Sequence, residues 1–224
     1  MADHEKARLV DLSHVIEEGM TTYKGLPGPH ICDFWSREAS AANYDDGSTF
    51  QIGRIEMVAN TGTYVDAPFH RFAEGKDLSE LPLESLANLE GICVQAPFER
   101  GLAVDADSFE VLDLRGKAVL VATGWDRHWR SETYFADHPF LTPAAADLLI
   151  ASGAAFVGID SHNIDDTRVR ARPVHTALLG AGIPIGEHMT RLDTLPASGF
   201  RFAAVPPKVK GMGTFPVRAY AVLG

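Results

Sequence analysis

Short apolar runs recur along the chain, at 8–12 (RLVDL), 51–60 (QIGRIEMVAN), 91–96 (GICVQA), 118–124 (AVLVATG), 154–160 (AAFVGID), 200–206 (FRFAAVP) and 217–223 (VRAYAVL). Their length and β-branched content predict strands, several of them buried on both faces. Between two of these runs lies LTPAAADLLIASG, in which Thr142 suits a helix cap, Pro143 the first turn and Gly153 the exit. Strand, helix and strand across 118–160 therefore predict a parallel crossover. LPLESLANLEG (81–91) predicts a shorter helix ending at Gly91. The remainder is loop-rich, with 13 Pro and 20 Gly, and Pro206–Pro207 must leave any strand interior. No repeat, low-complexity run or linker interrupts the pattern, which predicts one mixed α/β domain over 1–224.

Two loops follow predicted strand ends and are rich in polar side chains: TGWDRHW after 118–122, and DSHNIDD after 155–159. Ligands in open α/β sheets sit beyond the carboxyl ends of strands, so both loops are candidate walls of one site.

Composition narrows the partners. A formal charge of -10 and a pI near 5.3 argue against nucleic acid, whose phosphates require clustered Lys and Arg. The opening MADHEKARLV is charged and no stretch nears 18 apolar residues, so neither secretion nor a membrane is expected, and a cytoplasmic enzyme is the default. Cys32 and Cys93 have no metal-binding or redox spacing and read as reduced thiols.

The candidate chemistry concentrates in VANTGTYVDAPFHRF, Val58 to Phe72. If 62–66 is extended, Tyr64 and Asp66 share a face. Pro68 then forces a bend that returns His70 toward it. A carboxylate and an imidazole delivered into one cleft suit metal ligation or general acid–base work; the bland alternative is a turn-capping Asp66 and a surface His70.

TGTYVDAPFH resembles the H-x-G-T-H-x-D-x-P-x-H signature of the cyclase family, to which bacterial kynurenine formamidase and isatin hydrolase belong. The resemblance extends over most of the chain, through VDLSHVIEEGMTTYKGLPGP, VLVATGWDRHW, GIDSHNIDD, VHTALLGAGIPIGEHMTRLDTL and GTFPVRAYAVL. It implies a swivelling β/β/α fold, with a central mixed, partly barrel-like sheet and flanking helices, in a homodimer or homotetramer. It also implies a hydrolase acting on a small, aromatic or cyclic molecule at an amide, formamide, lactam or lactone bond.

Carried over residue by residue, the resemblance makes Asp66 a metal ligand shared between two positions, His175 and Glu187 the ligands that complete the second, and His70 the proton-transfer residue. Asn60 and Tyr64 stand where the signature has its two metal-binding histidines. An amide oxygen is a weaker donor than imidazole, and a phenol must first lose a proton of pKa about 10, so the first metal position should bind poorly. Asp66, His175 and Glu187 remain a set for one divalent ion, Zn or Mn. A metal-free route stands nearly level with it, in which His70 or His175 acts as a base and Tyr64 donates to a developing oxyanion. Two rival readings stay open: a metal-free lyase, dehydratase or cyclase using His70 and Glu187, and a binding protein without catalysis. The resemblance further implies pocket-lining aromatics, partly across a dimer interface. Tyr23, Trp35 and Trp125, with Asn60, are thus candidates for substrate contact, although core burial is the commoner fate of a tryptophan such as Trp35 or Trp125. His14 reads as a packed histidine. His162 and Asp165 are either partners that orient His175 or Glu187, or solvated loop residues.

Overall fold

The computed structural model describes residues 7–224, so the charged opening at Met1–Lys6 lies outside the described residues. Strands are numbered along the chain. Nine form one mixed sheet, in the spatial order β1 (Arg8–Asp11), β13 (Tyr220–Leu223), β11 (Phe200–Ala203), β5 (Leu89–Gln95), β7 (Ala118–Ala122), β9 (Phe156–Ile159), β10 (Ile185–Glu187), β4 (Tyr64–Asp66) and β12 (Thr214–Pro216). β5, β7, β9 and β10 run parallel, and antiparallel strands extend the sheet on both sides. β2 (His30–Trp35) and β3 (Ile52–Glu56) make a separate ribbon, and β6 (Ala103–Val104) pairs with β8 (Phe140–Leu141). The sheet curls into a half-barrel with few helices: α1 (Arg37–Ser40), α2 (Pro143–Ala151) and α3 (Pro173–Gly180). This is the mixed, partly barrel-like architecture that the resemblance implies.

Every apolar run contains a strand, and β7, α2 and β9 form the expected parallel crossover. α2 starts as its sequence dictates, with Thr142 Oγ1 accepting a hydrogen bond from Ala145 N at 3.2 Å. The helix expected over 81–91 does not form. One 3-10 turn spans Leu83–Ser85, and β5 begins at Leu89, taking in Gly91. Gly91 pairs with Phe200, and a Cβ there would lie 1.9 Å from the phenyl ring. The glycine serves close packing across the sheet rather than a helix exit. The run at 51–60 also breaks early: β3 ends at Glu56 in an exposed ribbon.

Alternation divides the apolar side chains between two faces. Val65, Phe156, Leu120 and Phe202 fill one cluster; Val157, Ile159, Ile185 and Val121 pack with Leu149, Val174 and Leu178 of α2 and α3 in the other. On β4 and β10 the same alternation leaves Tyr64, Asp66 and Glu187 on the face covered by α3. No helix among the described residues is long and apolar enough to cross a membrane.

Candidate active site

The antiparallel register of β4 and β10 places Tyr64 opposite Glu187, and Thr214 of β12 opposite Asp66. Pro68 opens a 3-10 turn, Pro68–His70, that bends the chain as its sequence requires and returns His70 toward Asp66, their nearest atoms 3.5 Å apart. Gly213 makes this bend possible, since a Cβ there would lie 2.3 Å from His70 N. α3 supplies His175 from above. These side chains, with Tyr23, Asn60 and Asn163, line one open cavity of about 310 Å³.

Each imidazole is oriented by a partner on its far nitrogen. His175 Nδ1 donates to Asp165 Oδ2 at 2.6 Å, while Nε2 faces Asp66 Oδ2 at 3.6 Å and Glu187 Oε1 at 3.4 Å. Asp165 also accepts from the backbone N–H groups of Val174 and His175, fixing the start of α3. It is buried, so it is not a solvated loop residue. Thr214 Oγ1 gives its proton to Asp66 Oδ1, so at 2.9 Å it accepts from His70 Nδ1 and leaves the other ring nitrogen of His70 as the lone-pair donor.

Charge in the pocket is concentrated on buried groups, Asp66, His175 and Glu187. Burial works to lower the pKa of His175, but Glu187, Asp165 and Asp66 outweigh it and push it up to about 10. Burial pushes Glu187 up to about 7, opposed by His175 and the Tyr64 hydroxyl. The Tyr64 hydroxyl donates to Glu187 Oε2 at 2.6 Å, and Tyr23 Oη lies 3.3 Å from the same oxygen while accepting from Asn163 Nδ2 at 2.8 Å. Ile164 N donates to Glu187 Oε1 at 2.7 Å.

Several sequence expectations change here. Tyr64 was expected to aim its hydroxyl at a substrate; its single proton is instead committed to Glu187. Trp35 and Trp125 do not line the cavity. Trp35 is exposed on β2, against the expectation of burial, whereas Trp125 is buried, its indole N–H bonded to Tyr134 O at 3.1 Å. The loop after β7 is not a wall of the site, because Asp160 ties down Thr123 and Gly124, and Asp126 binds Thr190 and Arg191. The loop after β9 is a wall and supplies Asn163. His14 packs as expected, stacked at 4.1 Å on Trp129. The side chain of His162 lies against Tyr23 and makes no bond to His175 or Glu187; only its backbone oxygen is used, by the Tyr23 hydroxyl. Thr214, Arg172 and Thr167 had no role in the sequence reading. Thr214 sits in the GTFP segment, and its value appears only when β12 pairs with β4.

The donors present fit one divalent cation. Asp66 Oδ2 is buried with no hydrogen-bond partner, and ligand atoms of Asp66, His70 and His175 lie within 4.8 Å of one another. Glu187 approaches His175, but both its oxygens already accept hydrogen bonds. The first position of the signature does not fit: burial holds the Tyr64 phenol well above its usual pKa, which keeps it neutral.

A curled α/β sheet that delivers two carboxylates and two imidazoles to an open cavity is the framework of a small-molecule enzyme. The pattern of the family described as Putative cyclase matches residues 10–166. Kynurenine formamidase of Geobacillus thermodenitrificans (strain NG80-2) is 29% identical over 214 residues, covering 94% of this chain and 95% of that protein. Isatin hydrolase A from Labrenzia aggregata, solved with benzyl benzoate, superposes with a TM-score of 0.81 at 22% identity, over 97% of this chain and 94% of that one. A Bacillus stearothermophilus protein described as a predicted metal-dependent hydrolase gives a TM-score of 0.74 at 26% identity, over 96% and 98%. The chain belongs to the cyclase family and is a cyclase-family hydrolase.

Proposed function

We propose that this hydrolase opens the amide, formamide or lactam C–N bond, or the lactone bond, of a small aromatic or cyclic molecule. The observation that carries the reading is the convergence of Asp66, His70, His175 and Glu187 on one open cavity, with Asp66 Oδ2 unpaired among them. The similarity to a kynurenine formamidase and to an isatin hydrolase supports the class of bond and the aromatic substrate.

One divalent cation, zinc or manganese, would be held by Asp66 and His175. The third donor is His70 in the arrangement the geometry favours, and Glu187 in the one the resemblance implies. When bound, it polarises a carbonyl and makes water a better nucleophile. Whichever of His70 and Glu187 is not a donor takes the proton of the attacking water and returns it to the leaving group. Asp165 fixes the ring of His175, and the Tyr64 hydroxyl and Ile164 N–H hold the Glu187 carboxylate in place.

Metal content and hydrolysis, measured together, test the reading. Protein purified without chelator should carry close to one divalent ion per chain and hydrolyse at least one of N-formylkynurenine, isatin and simple aryl formamides. Asp66→Ala should lose both properties. His70→Gln and Glu187→Gln identify the third donor, since only its loss should empty the site. Undiminished hydrolysis by metal-free protein would favour the metal-free route, in which His70 or His175 is the base. Metal-loaded protein inert toward the whole panel would favour a binding protein.

A further inference from the structure

The mouth of the cavity differs in charge from its floor. Of the residues that line the cavity, Asp66 and Glu187 are fully buried, whereas Arg71 is exposed and Arg172 half-buried. Both guanidinium groups are braced on one side only. Arg71 donates through Nε to Thr176 Oγ1 at 3.1 Å, and Thr176 Oγ1 in turn donates to the carbonyl of Arg172 at 2.7 Å. Arg172 uses one terminal nitrogen, donating to Val169 O at 2.6 Å and Ala171 O at 2.8 Å. Among the described residues neither arginine pairs with a carboxylate, although the chain carries 30 Asp and Glu against 20 Lys and Arg and other cavity-remote arginines do pair.

The remaining guanidinium nitrogens are therefore donors held near the cavity without an acid to satisfy them. Arginine's planar fork matches the two oxygens of a carboxylate, and a braced fork loses less freedom on binding one. Arg71 directly follows His70, and Thr176 directly follows His175, so the braced pair is anchored on the two segments that carry the site imidazoles. The acidic floor repels such an anion, so a bound molecule has one favourable direction of entry.

The geometry points to Arg71 and Arg172 as a carboxylate-binding subsite, so that the substrate is a small aromatic amide or lactone that also bears a carboxylate. This rests on the hydrolase reading and adds to it the charge of the substrate and the end that enters last. It also removes an apparent conflict, since the overall negative charge of the chain by itself disfavours an anionic substrate.

The test has a catalytic arm and a binding arm. N-formylanthranilate and formanilide share the aryl formamide and differ in the carboxylate; kcat/KM should favour the acid by roughly tenfold or more, mainly through KM. Arg71→Gln and Arg172→Gln should each pull that ratio toward unity, and Arg71→Lys should recover part of it. Arg172 also braces loop carbonyls, so the exposed Arg71 carries the test if Arg172→Gln fails to fold. If neither formamide is hydrolysed, the formamide assignment fails, and calorimetry with benzoate against benzamide still decides the subsite. Benzoate preferred by wild type and not by Arg71→Gln sustains it. Equal binding of the two probes, or a preference for benzoate that survives loss of both arginines, overturns it.

Discussion

Glu187 and His188 are neighbours in sequence and belong to two opposite electrostatic worlds. Glu187 ends β10 and joins Asp66, His70 and His175 in the cavity. His188 leaves the strand with a left-handed φ of 52° and enters a cluster of rings with His162, Tyr134 and Trp129. In the first group, carboxylates surround an imidazole and push it up to about 10. In the second, burial without acidic partners lowers His162 to about 3, drives His188 well below its usual value, and leaves His188 Nε2 and His162 Nδ1 with no partner. The same side chain at similar burial thus becomes a functional group held among carboxylates or a neutral packing element, according to its neighbours.

The largest effect should come from breaking the charged side. His70→Ala, whether it removes the third donor or the proton-transfer group, should lower kcat/KM by on the order of 10² to 10⁴, whereas His162→Phe should leave it within a few-fold. Steady-state kinetics on a hydrolysed substrate compares them; equal losses would erase the distinction.

Next comes the link that orients His175. Asp165→Asn removes the carboxylate that accepts from His175 Nδ1 and should cost roughly 10- to 100-fold in metal affinity or activity, read by competitive chelation. Unchanged affinity would reduce Asp165 to a cap for α3.

The neutral side should show itself through pH. The pKa of His162 is lower in the folded state than in the unfolded chain, so its contribution to stability is fully present above about pH 6.5 and is lost as pH falls toward 3. By pH 5 the loss is on the order of 2 kcal/mol for this one ring. Glu187 and Asp160, both raised to about 7, have the opposite sign: their contribution is present at low pH and lost as pH rises through 7. Urea unfolding of wild type minus His162→Phe, at pH 7.5 and at pH 5, cancels those two groups. The variant should gain relative to wild type on acidification; a pH-independent difference would mean that His162 is not held neutral.

An effect of similar size concerns the phenol at the boundary. Tyr64→Phe removes the hydrogen bond to buried Glu187 and should destabilise the fold by about 1–3 kcal/mol. Asn60→His combined with Tyr64→His would restore the signature's donors, and metal content should rise from one ion per chain toward two.

Much of this was legible in the sequence because it is local. The β7–α2–β9 unit follows from apolar runs, a Thr cap and a Pro in the first turn. The bend at Pro68 and the shared face of Tyr64 and Asp66 follow from φ restriction and side-chain alternation. The misreadings share a cause. Gly91 carries the same local signal in a helix exit as in a strand, and only the ring of Phe200 across the sheet chooses between them.

By itself, then, the sequence determined residue types and short-range geometry: seven apolar runs that each contain a strand and, through the resemblance, the positions Asn60, Tyr64, Asp66, His70, His175 and Glu187 as the polar groups to follow. Tertiary structure decided what each group faces. It aimed the Tyr64 proton at Glu187, recruited Thr214 and Asp165 from distant segments, and moved Trp125 into the core. The physical reason is that hydrogen bonds and charge interactions act over a few ångströms in space, between segments as far apart as Asp66 and Thr214, and no pattern along the chain records those distances.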